Sequence, residues 1–153
     1  MRCISIWQPW ASLIITRHKL IETRGWPAPK SLIGRRIGIA STKSLRPEQV
    51  AAYEDDLFQE LYQLTDLPPP GDLPRGCILG TVLLHSCEIM TPELMEDVTD
   101  EEKIMGDWQP GRYAWRLFHP IQFEHPIPVR GAQGVWIYDP HDVFSFQTEA
   151  YAY

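Results

Sequence analysis

The chain lacks most of the features that would commit it to a specialised class. Only three cysteines occur in 153 residues, Cys3, Cys77 and Cys87, and none belongs to a C-x-x-C pair. So sparse and odd a set excludes a disulfide framework and a zinc knuckle, and it fits a reducing, cytoplasmic setting. No stretch approaches the roughly 18 apolar residues of a membrane span. The opening Met1-Arg2-Cys3 is not followed by an apolar segment and cleavage site, so the expectation is a soluble protein without a targeting segment. Internal repeats and low-complexity tracts are missing as well. Net positive charge is missing too: the chain carries −6. Spread evenly, that charge would count against a polyanionic partner.

The charge is not spread evenly. Residues 1–48 hold nine Lys/Arg against two acids, Glu22 and Glu48, which gives +7. The remaining residues hold five against eighteen, which gives −13. Such asymmetry can focus a positive field on one face of an acidic molecule. Six Trp and six Tyr are many for this length. Aromatic rings suit a core, and they also suit base stacking.

Short β-prone runs recur between Gly and Pro punctuation. They fall at residues 3–6, 20–24, 36–40, 76–90, 112–118 (with an extension to 123) and 134–137. Pro9 fits the first turn of a helix over residues 10–16. Pro47 opens a second helix to Leu64, with acids in its early turns. Thr91-Pro92-Glu93 starts a short third helix, and residues 96–102 read as an acidic loop. Pro126 and Pro128 mark an irregular edge. This pattern predicts an α+β fold dominated by β: a barrel of five to seven short strands with two or three peripheral helices. The domain spans residues 1–138, followed by a tail over 139–153 that either packs on it through Val143, Phe144 and Phe146 or trails from it.

The block Ser5-Ile6-Trp7-Gln8-Pro9-Trp10-Ala11-Ser12-Leu13-Ile14 resembles the opening of ASCH domains. Lys19-Leu20-Ile21-Glu22-Thr23-Arg24 with Trp26 resembles that family's Lys-x-x-Glu-x-Arg signature. Gly38 to Lys43, Gly76 to Gly80, Tyr113 to Trp115 and Gly131 to Trp136 follow in matching order. The resemblance implies a PUA-like β-barrel with a cleft between barrel and helices. It also implies binding of RNA, DNA or a nucleotide. One branch of the family is an amidohydrolase on an acetylated cytidine, using a lysine, a threonine three residues on and a distant glutamate. Another is a ribonuclease. Here Glu22 stands where the first branch keeps its threonine. A carboxylate can serve as a base but does not replace a hydroxyl. The adjacent Thr23 faces the other way along a strand.

On these grounds the favoured function is recognition of a nucleotide, RNA or single-stranded DNA in a basic, Trp-lined cleft. Lys19, Arg24 and Lys43 (with Ser41) would hold phosphate, and Arg112 would reach the same cleft. Gln8 and Glu22 would read base edges, with Ser12 beside them. Trp7 and Trp26 would stack, while Trp10 and Trp115 fit the core. The enzymatic alternative uses Lys19 and Glu22 as an acid–base pair, with Glu101 or Glu102 as the distant acid. A third reading is a protein-interaction module presenting the acidic helix over residues 48–64. No cofactor is called for. His85 and Cys87 share a strand face, but no third ligand gives them metal-binding spacing.

Overall fold

Hydrogen bonding among six strands builds the molecule, and the computed structural model describes residues 1–141. The tail segment with Val143, Phe144 and Phe146 therefore lies outside the described residues. The strands are β1 (Arg2–Ile6), β2 (Ile21–Arg24), β3 (Arg36–Ser41), β4 (Cys77–Ile89), β5 (Tyr113–Pro128) and β6 (Val135–Ile137). They form one sheet in the order β2-β5-β4-β3-β1-β6. Only β1 and β3 run parallel. The other pairs described are antiparallel.

The sheet curls into a half-barrel because its long strands are repeatedly offset. Register shifts interrupt the β4–β5 ladder between Ile78 and Gly80, Thr81 and Leu83, and Leu84 and Ser86. A further shift interrupts β3–β4 at Ile39/Ala40. Each such bulge bends its strand and increases the twist. Gly80 sits at the tightest point. A Cβ there would lie 2.1 Å from the Ile121 carbonyl oxygen and 2.9 Å from Ile15, so only glycine lets the two strands and the helix meet.

Helix α1 (Trp10–Ile15) closes the concave side, with Ala11 to Ile15 all buried. Ile14 and Ile15 pack with Ile4, Ile37, Ile39, Val82, Leu84 and Trp115 in the main core. Burying an aliphatic side chain of this size contributes about 1.5–3 kcal/mol. A second, smaller core joins α1 to the neighbouring helices through Leu13, Phe58, Tyr62 and Met105.

Three sequence expectations change. The helix expected over residues 47–64 is two helices, α2 (Pro47–Glu54) and α3 (Asp56–Gln63). Asp55 is extended, with ψ 138°, and its carboxylate accepts the Phe58 N–H at 3.3 Å. A side chain that caps a new helix N-terminus breaks the old one at that point. The acidic loop contains α5 (Asp100–Ile104), started by Thr99, whose hydroxyl accepts the Glu102 N–H. It follows α4 (Pro92–Asp97), capped in the same way by Thr91. The irregular edge at Pro126 and Pro128 is instead the end of β5, where Pro128 pairs with Cys77 and Ile127 with Ile78.

Candidate nucleic-acid interface

A cleft opens where the end of β1, strand β2, helix α2 and the loop after α5 meet. Its volume is about 620 Å³. That lies within the usual range of roughly 300–1,000 Å³ for small-molecule sites. Trp7, Trp10, Trp26 and Phe58 supply aromatic surface, and Glu22, Arg24, Gln49 and Arg112 supply polar groups. Trp26 is 50 % exposed. Trp10 belongs both to this wall and to the packing beneath it, tilted against Phe58 at 5.6 Å.

The charges of the wall are largely spent on one another. Glu22 Oε2 accepts from Arg24 Nη1 at 3.1 Å, and Glu22 Oε1 accepts the Thr23 N–H. The Arg24 guanidinium lies 5.1 Å from the Trp26 ring and 5.5 Å from that of Trp115, a cation–π arrangement. Its Nε is buried without a hydrogen-bond partner among the described residues. Arg112 donates to the Asp107 and Thr23 carbonyls and lies 3.5 Å from the Asp107 carboxylate. With Glu48 added, the lining holds three acids against two arginines. This is a correction: the lining is aromatic and internally neutralised rather than basic.

Lys19 does not line the cleft. It is 1 % exposed, and its Nζ donates to Glu102 Oε1 at 3.3 Å. The other Glu102 oxygen accepts the Leu20 N–H at 2.7 Å. Glu102 is thus buried while Glu101 faces solvent. Gln8 is wholly buried as well. Its amide nitrogen donates to Ser12 Oγ and the Pro74 carbonyl, and its oxygen accepts the Ser12 N–H. Gln8 and Ser12 therefore tie the start of α1 to the segment before β4. Ser41 is buried, with its hydroxyl on the Cys77 carbonyl, whereas Lys43 is exposed and outside the cleft.

So the structure brings Trp7, Glu22, Arg24, Trp26 and Arg112 together and leaves Gln8, Ser12, Lys19, Ser41 and Lys43 apart from them. Glu48, Gln49, Ala52 and the segment Ile104 to Asp107 complete the wall. They carry no local motif, and only the fold brings them near β2.

Burial favours the protonated form of all three thiols. Burial pushes the Cys3 thiol up to about 12, and burial is also the main cause of the rise at Cys77 and Cys87. Cys87 Sγ accepts the Ala28 N–H, and His85 stacks on Phe118 at 4.4 Å. Among the described residues no three His, Cys, Asp or Glu side chains gather as a metal site. No described helix is long and apolar enough to cross a membrane.

A curled sheet of six strands, closed on one side by α1 and flanked by a cleft, defines an α+β half-barrel dominated by strands. The family follows: the ASCH domain model matches residues 4–127, and the chain belongs to the ASCH domain family. It is 29 % identical over 142 residues to activating signal cointegrator 1 of Homo sapiens. It is 29 % identical over 139 residues to the Mus musculus protein of that name. Each match covers 90 % of this chain and 22 % of the relative, so the chain spans about a fifth of those relatives' length. The crystal structure of ASCH from Zymomonas mobilis superposes with a TM-score of 0.50 at 18 % identity, covering 83 % of this chain and 72 % of that one. This likeness supports the fold. The family is associated with RNA binding.

Proposed function

We propose that this domain binds RNA or single-stranded DNA by holding an unpaired base in the aromatic cleft. The observation that carries the reading is the wall itself. Trp7, Trp10, Trp26 and Phe58 border one cavity of about 620 Å³ whose arginines are already paired with carboxylates. Such a site has little spare charge for a phosphate but offers flat apolar faces for a base. Stacking on an aromatic side chain contributes about 1–3 kcal/mol per base and tolerates any sequence. Gln49 and Glu22 supply polar contacts at the edges of the ring.

Polarisation titration of short single-stranded RNA and DNA tests this reading. Trp26→Ala and Trp7→Ala are expected to weaken binding by roughly 5- to 150-fold each, the range that follows from the stacking energy. Binding that is unchanged in both variants overturns it.

A hydrolase is the second reading. What favours it is the contact of Lys19 with Glu102, the lysine and the distant acid of the amidohydrolase branch. Against it stand the burial of that pair and the carboxylate of Glu22 where the branch has a hydroxyl. Incubation with N4-acetylcytidine and with the same oligomers, followed by chromatography of the products, separates the two readings. Release of cytidine or of shorter oligomers establishes the hydrolase.

A further inference from the structure

The cleft explains how a base could be held but leaves the phosphates of a strand unaccounted for. Four cations outside its lining are linked to it, Arg46 through the Trp7 ring and the other three through a chain of backbone contacts. Trp7 stands at the cleft, and the Arg46 guanidinium lies 5.6 Å from its ring. The Ile6 carbonyl, one residue before Trp7, accepts the Thr42 N–H at 3.1 Å. Lys43 follows Thr42 and is exposed. Gly76 then brings in two further segments. Its N–H donates to the Ser41 and Thr42 carbonyls, and its own carbonyl accepts the Val129 N–H at 3.0 Å. Arg75 precedes Gly76 and Arg130 follows Val129, and both are exposed.

Lys43 packs against this glycine. Gly76 has φ +69°, and a methyl group placed on it would sit 3.6 Å from the Lys43 side chain. The end of β3, the start of β4 and the end of β5 thus deliver Lys43, Arg75 and Arg130 around a single glycine. No carboxylate of the described residues forms an ion pair with Lys43 or Arg75. The nearest acids in sequence are Asp72, in the turn before Arg75, and Glu48, which belongs to the cleft wall.

We infer that the Gly76 corner is a phosphodiester-binding surface, and that a single strand runs from the cleft past Trp7 and Arg46 to Lys43, Arg75 and Arg130. The inference rests on the base-binding reading of the cleft for where the strand starts. It gives the acidic molecule a place for backbone charge that the neutralised cleft does not offer. Cations clustered on one face attract a polyanion even when the net charge is negative. Phosphate contacts position a strand without reading its sequence.

The test measures the salt dependence of binding. A short fluorescein-labelled single-stranded RNA of mixed sequence is titrated at a series of potassium chloride concentrations. Each phosphate contact on a single strand adds about 0.7 to the slope of log affinity against log salt, so the triple variant Lys43→Gln/Arg75→Gln/Arg130→Gln should lose about 2 from that slope. Affinity should fall alongside. The charge-preserving triple Lys43→Arg/Arg75→Lys/Arg130→Lys should keep the wild-type slope, which separates charge from folding. Trp26→Ala should weaken binding with its slope unchanged. An unaltered slope in the glutamine triple, with Trp26→Ala still weakened, overturns the corner and leaves the cleft standing. A reduced slope in the glutamine triple, with Trp7→Ala and Trp26→Ala binding as wild type, supports the corner and removes the cleft. Wild type that fails to bind the RNA overturns both.

Discussion

Replacing Lys19 with methionine would strand the Glu102 carboxylate in the interior, with only the Leu20 N–H left to it. Breaking a buried ion pair from one side costs about 3–5 kcal/mol, whereas replacing both partners by apolar groups is often close to neutral. Urea unfolding should therefore show a large loss for Lys19→Met and recovery of most of it in Lys19→Met/Glu102→Leu. Equal losses in the two variants would mean that the pair is not what matters there. The same residues show what single positions reveal in a sequence. Lys19, Glu22, Arg24 and Trp26 stood out by motif, yet a motif does not say which way a side chain points. Lys19 was expected to reach the cleft and instead turns inward, because Glu102, 83 residues away, supplies its partner. Glu22 and Arg24 share a face by the strand's two-residue repeat. Of the two partners that the spacing offers Glu22, Lys19 and Arg24, the structure pairs it with Arg24. Gln8 was expected to read a base edge, but a side chain with no exposed surface spends its amide on Ser12 and Pro74.

At the scale of elements, the offset between β4 and β5 depends on Gly80. Gly80→Ala should destabilise the protein by about 3 kcal/mol or more, since the added carbon meets backbone rather than a movable side chain. A melting temperature within a degree or two of wild type would show that the strands can separate there without cost. Strand positions were readable because apolar runs and breakers alternate along the chain. Helix ends were harder to place. The break at Asp55 leaves no trace in periodicity, since one carboxylate accepting the Phe58 N–H decides it. The 16-residue span of β5 was hidden by its prolines at 120, 126 and 128. Proline lacks a donor, but it can hold a strand position whose N–H is not needed for the ladder. The acidic segment folds as α5 because Thr99 caps it and buried Glu102 anchors it.

For the whole molecule, burial of ionisable groups links stability to alkaline pH. The fold favours the neutral thiol of Cys3, raising it from 9.0 to about 12. Tyr62 rises from 10.0 to about 12, by burial. In both cases the unfolded chain loses its proton first. The stabilisation is complete below pH 9 and is lost as pH climbs from there towards 12. Denaturation midpoints should fall over that window, and less steeply in Cys3→Ala. A flat profile would show that the thiol is not shielded. The alternation of apolar runs and breakers foretold the class of fold, and the charge count foretold its asymmetry along the chain, but neither could show that Lys19 and Lys43 would lie outside the cleft while Arg24 lines it. That arrangement depends on which strands neighbour one another.

The neighbours of β1 carry one more consequence. Met1 exchanges backbone hydrogen bonds with Tyr138, 137 residues away, while β1 pairs on its other side with β3 about 35 residues on. Closing so long a loop is entropically slow. One edge of β1 can thus be paired early in folding, and the other only when nearly the whole domain has assembled. Pulsed hydrogen exchange during refolding should register this order, with the amides facing β3 protected well before those facing β6.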